Sequence, residues 1–388
     1  MSHYKDSFHH SKRRFVDNAS LVVDPLLNDN FMSYADSVYP RKRRLASQGT
    51  ASLGNVVTYQ LPSSGYLHEL SVQNDFAQTT TQDVIPYVGC ACISRVQIRN
   101  GSEVLHDYDY VDALNAYLTD VGDEESITKI MDQSGGAAVD TTSGAISGLQ
   151  AIIPSGWSGL MGCQPIALHK LDSRVEVEIT YRTAAQITIS GGSGAAISNS
   201  KIICWMSDAG DNLKSKHRQQ NMSVKTIDFK TFKSTAVSTG SETDLDISGL
   251  SGLIKRLTVR ASLSADIDSS TPIDYFNNQV MTDIKTLIDG DEEIVFDNQY
   301  EGGLDAIIYN QGKPQSSTLG YIYTVPYTLH TEESKKTNVH NTGGLHSSKV
   351  NKNQLRVTHS LGENAEIGVC GLVATKWEYK NGQIFRLQ

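Results

Sequence analysis

The sequence predicts an all-β protein built from two tandem eight-stranded jelly rolls, with short helices and an extended N-terminal arm. An internal repeat is the main reason: residues 65–72 (GYLHELSV) return 187 positions later as residues 252–259 (GLIKRLTV). The turn glycines of two predicted hairpins, Gly101 and Gly290, keep nearly the same offset, 189. The length of 388 residues exceeds what one hydrophobic core usually holds. Short strands separated by Gly- and Ser-rich loops favour a sandwich with closed edges, and a jelly roll is the simplest such fold.

The chain divides into four predicted segments. A basic arm covers residues 1–48, the first jelly roll 49–208, a polar linker 209–222 and the second jelly roll 223–388. Within the first roll, residues 123–162 are mostly Gly, Ser, Ala and Thr and show little periodicity. We expect an elaborated surface loop there, because ordinary connections are much shorter.

Alternating apolar residues predict the strands of each roll. In the first roll they fall at 56–61, 66–76, 93–98, 102–105, 175–181, 186–190 and 201–206. The dipeptide Asn100-Gly101 predicts a hairpin with a type I′ turn, and apolar spacing predicts a helix over 109–120. In the second roll the predicted elements are strands at 224–229, 253–263, 320–329, 354–359, 366–376 and 384–387, a hairpin across Asp289-Gly290 and a short segment at 300–309.

The net charge of −9 is unevenly distributed along the chain. Residues 1–47 hold eight Lys and Arg against five Asp, a balance of +3, so the remainder carries −12. A basic arm on an acidic body indicates that the arm meets an anionic surface while the body meets water.

Two basic clusters in the arm are the candidate contact residues. They are Lys12, Arg13, Arg14, Arg41, Lys42, Arg43 and Arg44. Phosphates of lipid head groups or of nucleic acid would bind such clusters. Aromatic residues do not interleave with them as base stacking requires, so any contact with nucleic acid would be non-specific. A solvated, mobile terminus is the alternative interpretation.

The sequence lacks the patterns of secretion, membrane spanning and common catalysis. No apolar run reaches the ~20 residues of a membrane helix, and charges from Lys5 onward argue against a secretory signal. We therefore expect synthesis in a cytoplasm, and buried free thiols for the five scattered cysteines. No nucleophile elbow, P-loop, dinucleotide fingerprint or H-E-x-x-H is present, so we assign no catalytic residue, cofactor or metal ligand. The acidic run from Asp289 to Glu293 predicts a solvated turn, with a calcium site as the alternative.

The order of these elements resembles the double jelly-roll major capsid proteins of icosahedral DNA viruses. The resemblance covers most of residues 50–388. The order of the segments, together with the internal duplication, is more specific than any single motif. The segments that carry it are Ile85-Pro86-Tyr87-Val88-Gly89, the Asn100-Gly101 turn, Pro165-Ile166-Ala167-Leu168, 324–329 (TVPYTL), 343–350 (GGLHSSKV), 354–357 (QLRV) and 367–382.

The resemblance implies a structural protein of the virion and not an enzyme. It implies a homotrimer whose six jelly rolls form a pseudo-hexagonal block that tiles an icosahedral shell, next to other capsomers and to penton and minor capsid proteins. The basic arm would face the interior, toward an internal lipid membrane or the genome, and residues 123–162 would face outward.

Two other classes of protein remain open at the level of sequence. A tandem β-sandwich adhesin or carbohydrate-binding protein would need exposed aromatic residues on one face, or an acidic calcium cluster, together with export. A β-sandwich glycosidase would need two facing carboxylates. The repeat favours assembly over both, because a structural protein spreads its functional residues over an interface.

Overall fold

The computed structural model describes residues 38–78, 84–121, 124–136, 145–158, 161, 163–189, 194–209, 222–267, 273–296, 315–316, 318–328 and 343–387. Predictions for residues 1–37, the linker 210–221 and the segment 300–309 lie outside these ranges.

The first jelly roll is a sandwich of two antiparallel sheets. Its strands are β1 (Val38–Ala46), β2 (Val56–Gln60), β3 (Tyr66–Gln78), β4 (Ile93–Asn100), β5 (Glu103–Asp109), β6 (Ala145–Ile153), β7 (Ile166–Ala167), β8 (Val175–Tyr181) and β9 (Ala195–Ala209). Its helices are α1 (Val88–Ala91), α2 (Tyr110–Val121) and α3 (Glu124–Asp132). One sheet has the order β1-β9-β3-β6, with β7 also on β3, and the other has the order β2-β8-β4-β5.

The second jelly roll repeats this arrangement. Its strands are β10 (Met222–Val237), β11 (Thr243–Asp246), β12 (Leu253–Leu263), β13 (Asp283–Ile288), β14 (Asp291–Phe296), β15 (Gln315–Ser316), β16 (Gly320–Tyr321), β17 (Tyr323–Pro326), β18 (Leu345–His346), β19 (Asn353–Thr358), β20 (Ala365–Lys380) and β21 (Gln383–Leu387). The sheets have the orders β10-β20-β12-β17 and β11-β19-β13-β14, and β15 pairs with β16. The predicted all-β double jelly roll is confirmed.

The strand register places repeated residues at equivalent positions in the central sheets of the two rolls. Leu70 on β3 pairs with Cys204 on β9, which pairs with Arg43 on β1. In the second roll Leu257 pairs with Gly371, which pairs with Lys230. Leu70 and Leu257 are 187 residues apart, as are Arg43 and Lys230. The offset read from the repeat therefore holds for the outer two of these three strands, whereas Cys204 and Gly371 on the middle strand are 167 residues apart because the connections before them differ in length.

The two predicted hairpins form, but their turns differ. Asp289 and Gly290 both have positive φ, 54° and 99°, as a type I′ turn requires. In the first hairpin Asn100 stays in the strand and pairs with Glu103, and only Gly101 has positive φ. The type I′ prediction is wrong there, because the turn is one residue later than the Asn-Gly signal indicates.

The first strand of the fold lies inside the segment predicted as arm. β1 pairs with β9 along its length, from Val38 opposite Ala209 to Ala46 opposite Lys201. Four consecutive basic residues and Pro40 give β1 no apolar alternation. Charges and proline are tolerated on an edge strand, whose outer edge faces solvent. Residues 38–46, which the sequence assigns to the arm, therefore belong to the first roll.

Residues 123–162 are not one surface loop. They contain α3, where Ile127 and Met131 are buried one helical turn apart, and β6, which pairs with β3. In β6 only Leu149, Ala151 and Ile153 alternate into the core. Ser147 and Gly148 interrupt the apolar pattern before them, so the sequence did not predict this strand. Similarly, the predicted strand 186–190 is wrong, because Ala184–Ile187 form a 3-10 turn.

One hydrophobic core runs from the first roll into the second. It joins side chains of the first roll to several on the second roll's β10 and β20, among them Val224, Phe229, Leu372 and Trp377. A separate core lies between the two sheets of the second roll. The rolls therefore share a buried apolar interface.

Candidate assembly interface

Helix α2 lies at the contact between the two rolls. Asp109 begins it as an N-cap: its Oδ1 accepts hydrogen bonds from the N–H groups of Val111 (3.1 Å) and Asp112 (3.3 Å). On one side α2 packs against β4 and β5, and on the other against β10, β12 and β20. Its apolar residues Val111, Leu114 and Leu118 are fully buried. A helix of the first roll is thus covered by a sheet of the second.

Two carboxylates of α2, the buried Asp112 and the partly buried Asp120, form ion pairs with β12. Asp112 contacts Arg260 Nε at 2.5 Å, and Asp120 contacts Arg256 at 2.7 Å. Eight residues of helix rise about 12 Å, and four residues of strand span about 13 Å. Residues 112 and 120 on α2 therefore match residues 260 and 256 on β12 in spacing. At the start of the helix, Asp109 pairs with Lys233 on β10 at 2.9 Å.

Two neighbouring carboxylates in this interface have pKa values shifted in opposite directions. Burial raises the pKa of Asp112 to about 6, despite the nearby charge of Arg260. Burial also acts to raise the pKa of Asp109, but the charges of Lys233, Arg182 and Arg260 outweigh it and lower the value. Among the described residues nothing donates a hydrogen bond to Asp112 Oδ2. Burial and the nearby negative charge of Asp109 therefore outweigh the ion pair with Arg260.

A second polar cluster links β5 to β10. His106 Nε2 accepts the Gly156 N–H at 3.1 Å, so Nδ1 carries the proton and donates to Asp228 at 3.1 Å. Asp228 also contacts Arg386 and Lys230. Burial alone would raise the pKa of Asp228, but the hydrogen bond from His106 and the surrounding positive charges lower it.

Aromatic rings and a close backbone contact surround the His106 cluster. Trp157 of the first roll and Trp377 of the second have ring centroids 5.8 Å apart. Ile227 N–H donates to the carbonyl of Gly156 at 3.0 Å. A Cβ at Gly156 would lie only 1.6 Å from the Ile227 carbonyl oxygen, so this approach of the two chains requires glycine.

Sequence reasoning did not identify these interface residues. The signals were present: Arg256 and Arg260 are charged residues within a predicted core strand, and Asp112 lies between apolar neighbours of α2. Such charges are seldom buried without a partner, but a single sequence does not show which opposite charges face them.

The structure describes only part of the predicted contact residues. Lys12, Arg13 and Arg14 lie outside the described residues. The other four lie on β1, where Arg41 pairs with Asp208 at 2.7 Å and Lys42 Nζ lies 4.0 Å from the centre of the Trp205 ring. Arg44 is exposed and Arg43 half-buried.

The described part of the chain has no group of three His, Cys, Asp or Glu residues that could hold a metal ion. Within the same ranges, no helix has the length and apolar character needed to cross a membrane. The five cysteines are free, as predicted, and four of them are buried.

Comparison with known proteins gives matches only at the level of structure. No family model and no curated protein matches the sequence. VP54 of the virus PBCV-1 superimposes with a TM-score of 0.69 at 11% identity, over 92% of this chain and 100% of VP54. The Faustovirus major capsid protein gives a TM-score of 0.62 at 9% identity, over 92% and 93% of the two chains. The STIV major capsid protein, from Sulfolobus Turreted Icosahedral Virus, gives 0.53 at 12% identity, over 87% and 96%.

The chain has the double jelly-roll fold of viral major capsid proteins. The match extends over nearly the whole of each solved chain, so both rolls and their mutual arrangement are shared. At identities of 9–12%, the superposition shows the fold of this chain and nothing finer.

The Arg260–Asp112 pair yields a stability prediction. We expect Arg260→Met to lower the free energy of unfolding by about 3–5 kcal/mol, because it leaves the buried Asp112 carboxylate without a cation. Combining Arg260→Met with Asp112→Leu should recover most of the loss. Urea unfolding followed by circular dichroism measures both. Arg356→Met is the matched control, since Arg356 pairs with Asp244 at the surface, and it should change stability little. An equal loss in the control would contradict a special role for the interface.

The Asp228 cluster yields a pH prediction. The pKa of Asp228 is lowered in the folded chain, so its stabilising contribution is complete above the unfolded pKa of about 3.9 and is lost as the pH falls through the folded value. We expect Asp228→Asn to be less stable than wild type near neutral pH and to lose stability less steeply between about pH 5 and pH 2. Parallel curves for the two proteins in chemical unfolding across this range would exclude Asp228 as the source.

Proposed function

We propose that this protein is a major capsid protein: it self-associates as a homotrimer of six jelly rolls, and the trimers tile the icosahedral shell of a virion. The observation that carries the proposal is the likeness of both rolls, over nearly the full chain, to proteins named as major capsid proteins. The buried contact between the rolls supports it, because a shell needs a rigid block. The protein then acts through its contact surfaces and catalyses no reaction.

The trimer follows from the relation between the two rolls. Each roll presents the same type of sheet and hairpin, so a contact resembling that between first and second roll can recur between the second roll of one copy and the first of another. Such a heterologous contact closes into a ring of three when it rotates each copy by one third of a turn. Three copies supply six rolls, the number that gives a nearly hexagonal outline. Its partners are then neighbouring capsomers, with penton and minor capsid proteins where the lattice changes.

The arm provides the proposed inner contact of the shell. Lys12, Arg13 and Arg14 would bind the phosphates of an internal membrane or, without base specificity, of the genome. The same role is proposed for Arg41, Lys42, Arg43 and Arg44 on β1, where Arg41 also pairs with Asp208 and Lys42 lies over the Trp205 ring. The outward surface would include the connection between α3 and β6.

Solution mass tests the proposed assembly. We expect light scattering of the purified protein to give about three times the chain mass of 42.4 kDa, because the rolls form a closed ring. Electron microscopy of concentrated samples should then show hexagonally packed particles. A monomer at all concentrations, with no arrays, would contradict the capsid proposal.

Vesicle binding tests the arm. The triple variant Lys12→Ala, Arg13→Ala, Arg14→Ala should float less with vesicles containing anionic lipid than wild type does, at unchanged trimer mass. Loss of about 1 kcal/mol per removed charge near the membrane surface is expected. A matched variant with Lys349→Ala, Lys376→Ala and Lys380→Ala, all exposed on the second roll, should bind as wild type. Equal flotation of all three proteins, with equal retention of duplex DNA, would remove the arm from the mechanism.

A further inference from the structure

A short segment of the first roll lies across strand β10 of the second roll. It consists of residues 155–158, which follow β6, and we call it the strap. All four of its residues are buried. The carbonyl oxygen of Gly156 accepts a hydrogen bond from the N–H of Ile227 at 3.0 Å and another from the hydroxyl of Thr226. The backbone of the strap is therefore bonded directly to the second roll.

His106 on β5 holds the strap through the N–H of the same glycine. Its Nε2 accepts the N–H of Gly156 at 3.1 Å, and its Nδ1 donates to Asp228 at 3.1 Å. Both ring nitrogens carry a proton in a charged imidazole, so a ring with one accepting nitrogen is neutral. The strap therefore has this hydrogen bond only while His106 is uncharged.

Proton uptake at Nε2 of His106 would break the bond to the strap. The new N–H would point at the N–H of Gly156, and two donors cannot bond to each other. The glycine has no room to move toward β10, because even a Cβ on it would lie 1.6 Å from the carbonyl oxygen of Ile227. A buried N–H without an acceptor is costly. The charged ring therefore favours a strap displaced from β10.

The charges around His106 also oppose a further positive charge. Asp228 and Lys230 approach it from β10, and Arg386 approaches from β21. Asp228 already contacts both of these cations, so a protonated His106 would be the third positive charge beside one carboxylate. The side chain of His106 is 0% exposed, so solvent screens the added charge poorly. The site is therefore suited to a neutral ring.

We propose that His106 is a proton-sensitive latch between the two rolls: the neutral ring holds the strap on β10, and the protonated ring releases it. Histidine is the side chain whose charge ordinarily changes near neutral pH, and buried histidines can switch packed contacts when they take up a proton. The latch lies within one chain and operates with or without the proposed trimer. In the proposed shell, the same release would loosen each block in acid.

Tryptophan fluorescence tests release of the strap. Trp157 of the strap and Trp377 pack against His106, with ring centroids 5.3 and 5.5 Å from its ring. They are 0% and 1% exposed, whereas Trp205, the third tryptophan, is 43% exposed. In a Trp205→Phe parent, we expect the acrylamide quenching constant to rise about twofold or more from about pH 7.5 to about pH 5. Circular dichroism should stay unchanged, because the sheets remain folded.

Substitution of His106 by glutamine identifies the group that takes up the proton. An amide offers one donor and one acceptor but takes up no proton in this pH range. We expect His106→Gln in the Trp205→Phe parent to show weak quenching at both pH values. His359→Gln is the matched control: His359 is also 1% exposed, its Nε2 donates to the Val237 carbonyl at 2.9 Å, and its Nδ1 has no hydrogen-bond partner among the described residues. Proton uptake there breaks no bond, so the control should keep the acid response. An equal acid response in His106→Gln and its parent would overturn the latch.

Hydrogen exchange of the unsubstituted protein gives a test that needs no variant. The N–H groups of Gly156 and Ile227 make the two backbone contacts of the strap, so peptides containing them report on release. After correction for the intrinsic effect of pH on exchange, we expect their protection to fall between about pH 7 and about pH 5, where histidines ordinarily titrate. Unchanged protection, or a fall only below about pH 4.5, where carboxylates titrate, would overturn the latch even if His106→Gln failed to fold.

Discussion

The carboxylates of α2 impose the main physical constraint on this structure. Asp112 lies almost entirely out of water and Asp109 is partly buried, and a buried carboxylate is costly unless a cation or several donors face it. The first roll does not supply enough of these partners. Lys233, Arg256 and Arg260 belong to the second roll, so α2 is satisfied only when the two rolls meet in one arrangement. The apolar residues around the ion pairs provide the binding energy, and the ion pairs determine the alignment.

The fold was predictable where a strand has one buried face and a polar one. β8 and β19 alternate strictly between buried and partly exposed residues, and both were found in sequence. β1 and β6 were missed for opposite reasons. β1 lies at the edge of its sheet and carries charges in place of apolar residues, whereas β6 contains Gly148 at φ 78°, a residue typical of loops. The first hairpin was placed correctly, but its turn type depends on a one-residue register that composition does not reveal.

The interface was much less predictable than the fold. Its important contacts join residues more than 100 positions apart, such as Asp112 with Arg260 and His106 with Asp228. Local periodicity contains no information about such pairs. The basic run from Arg41 to Arg44 illustrates a related difficulty, because its composition suits a mobile tail and a charged edge strand equally well. Only the pairing of β1 with β9 distinguishes the two.

The position of β1 has a consequence for synthesis of the chain. Its partner strand β9 begins at Ala195 and faces it in antiparallel register, so β1 leaves the ribosome about 150 residues before it can enter a sheet. Pairings this distant in sequence close slowly, because a long loop must first be ordered. During that interval the strand is a free edge, which in apolar form would favour aggregation. Four adjacent positive charges repel identical strands on neighbouring nascent chains, so the charges that suit β1 to a sheet edge would also keep unfinished chains apart.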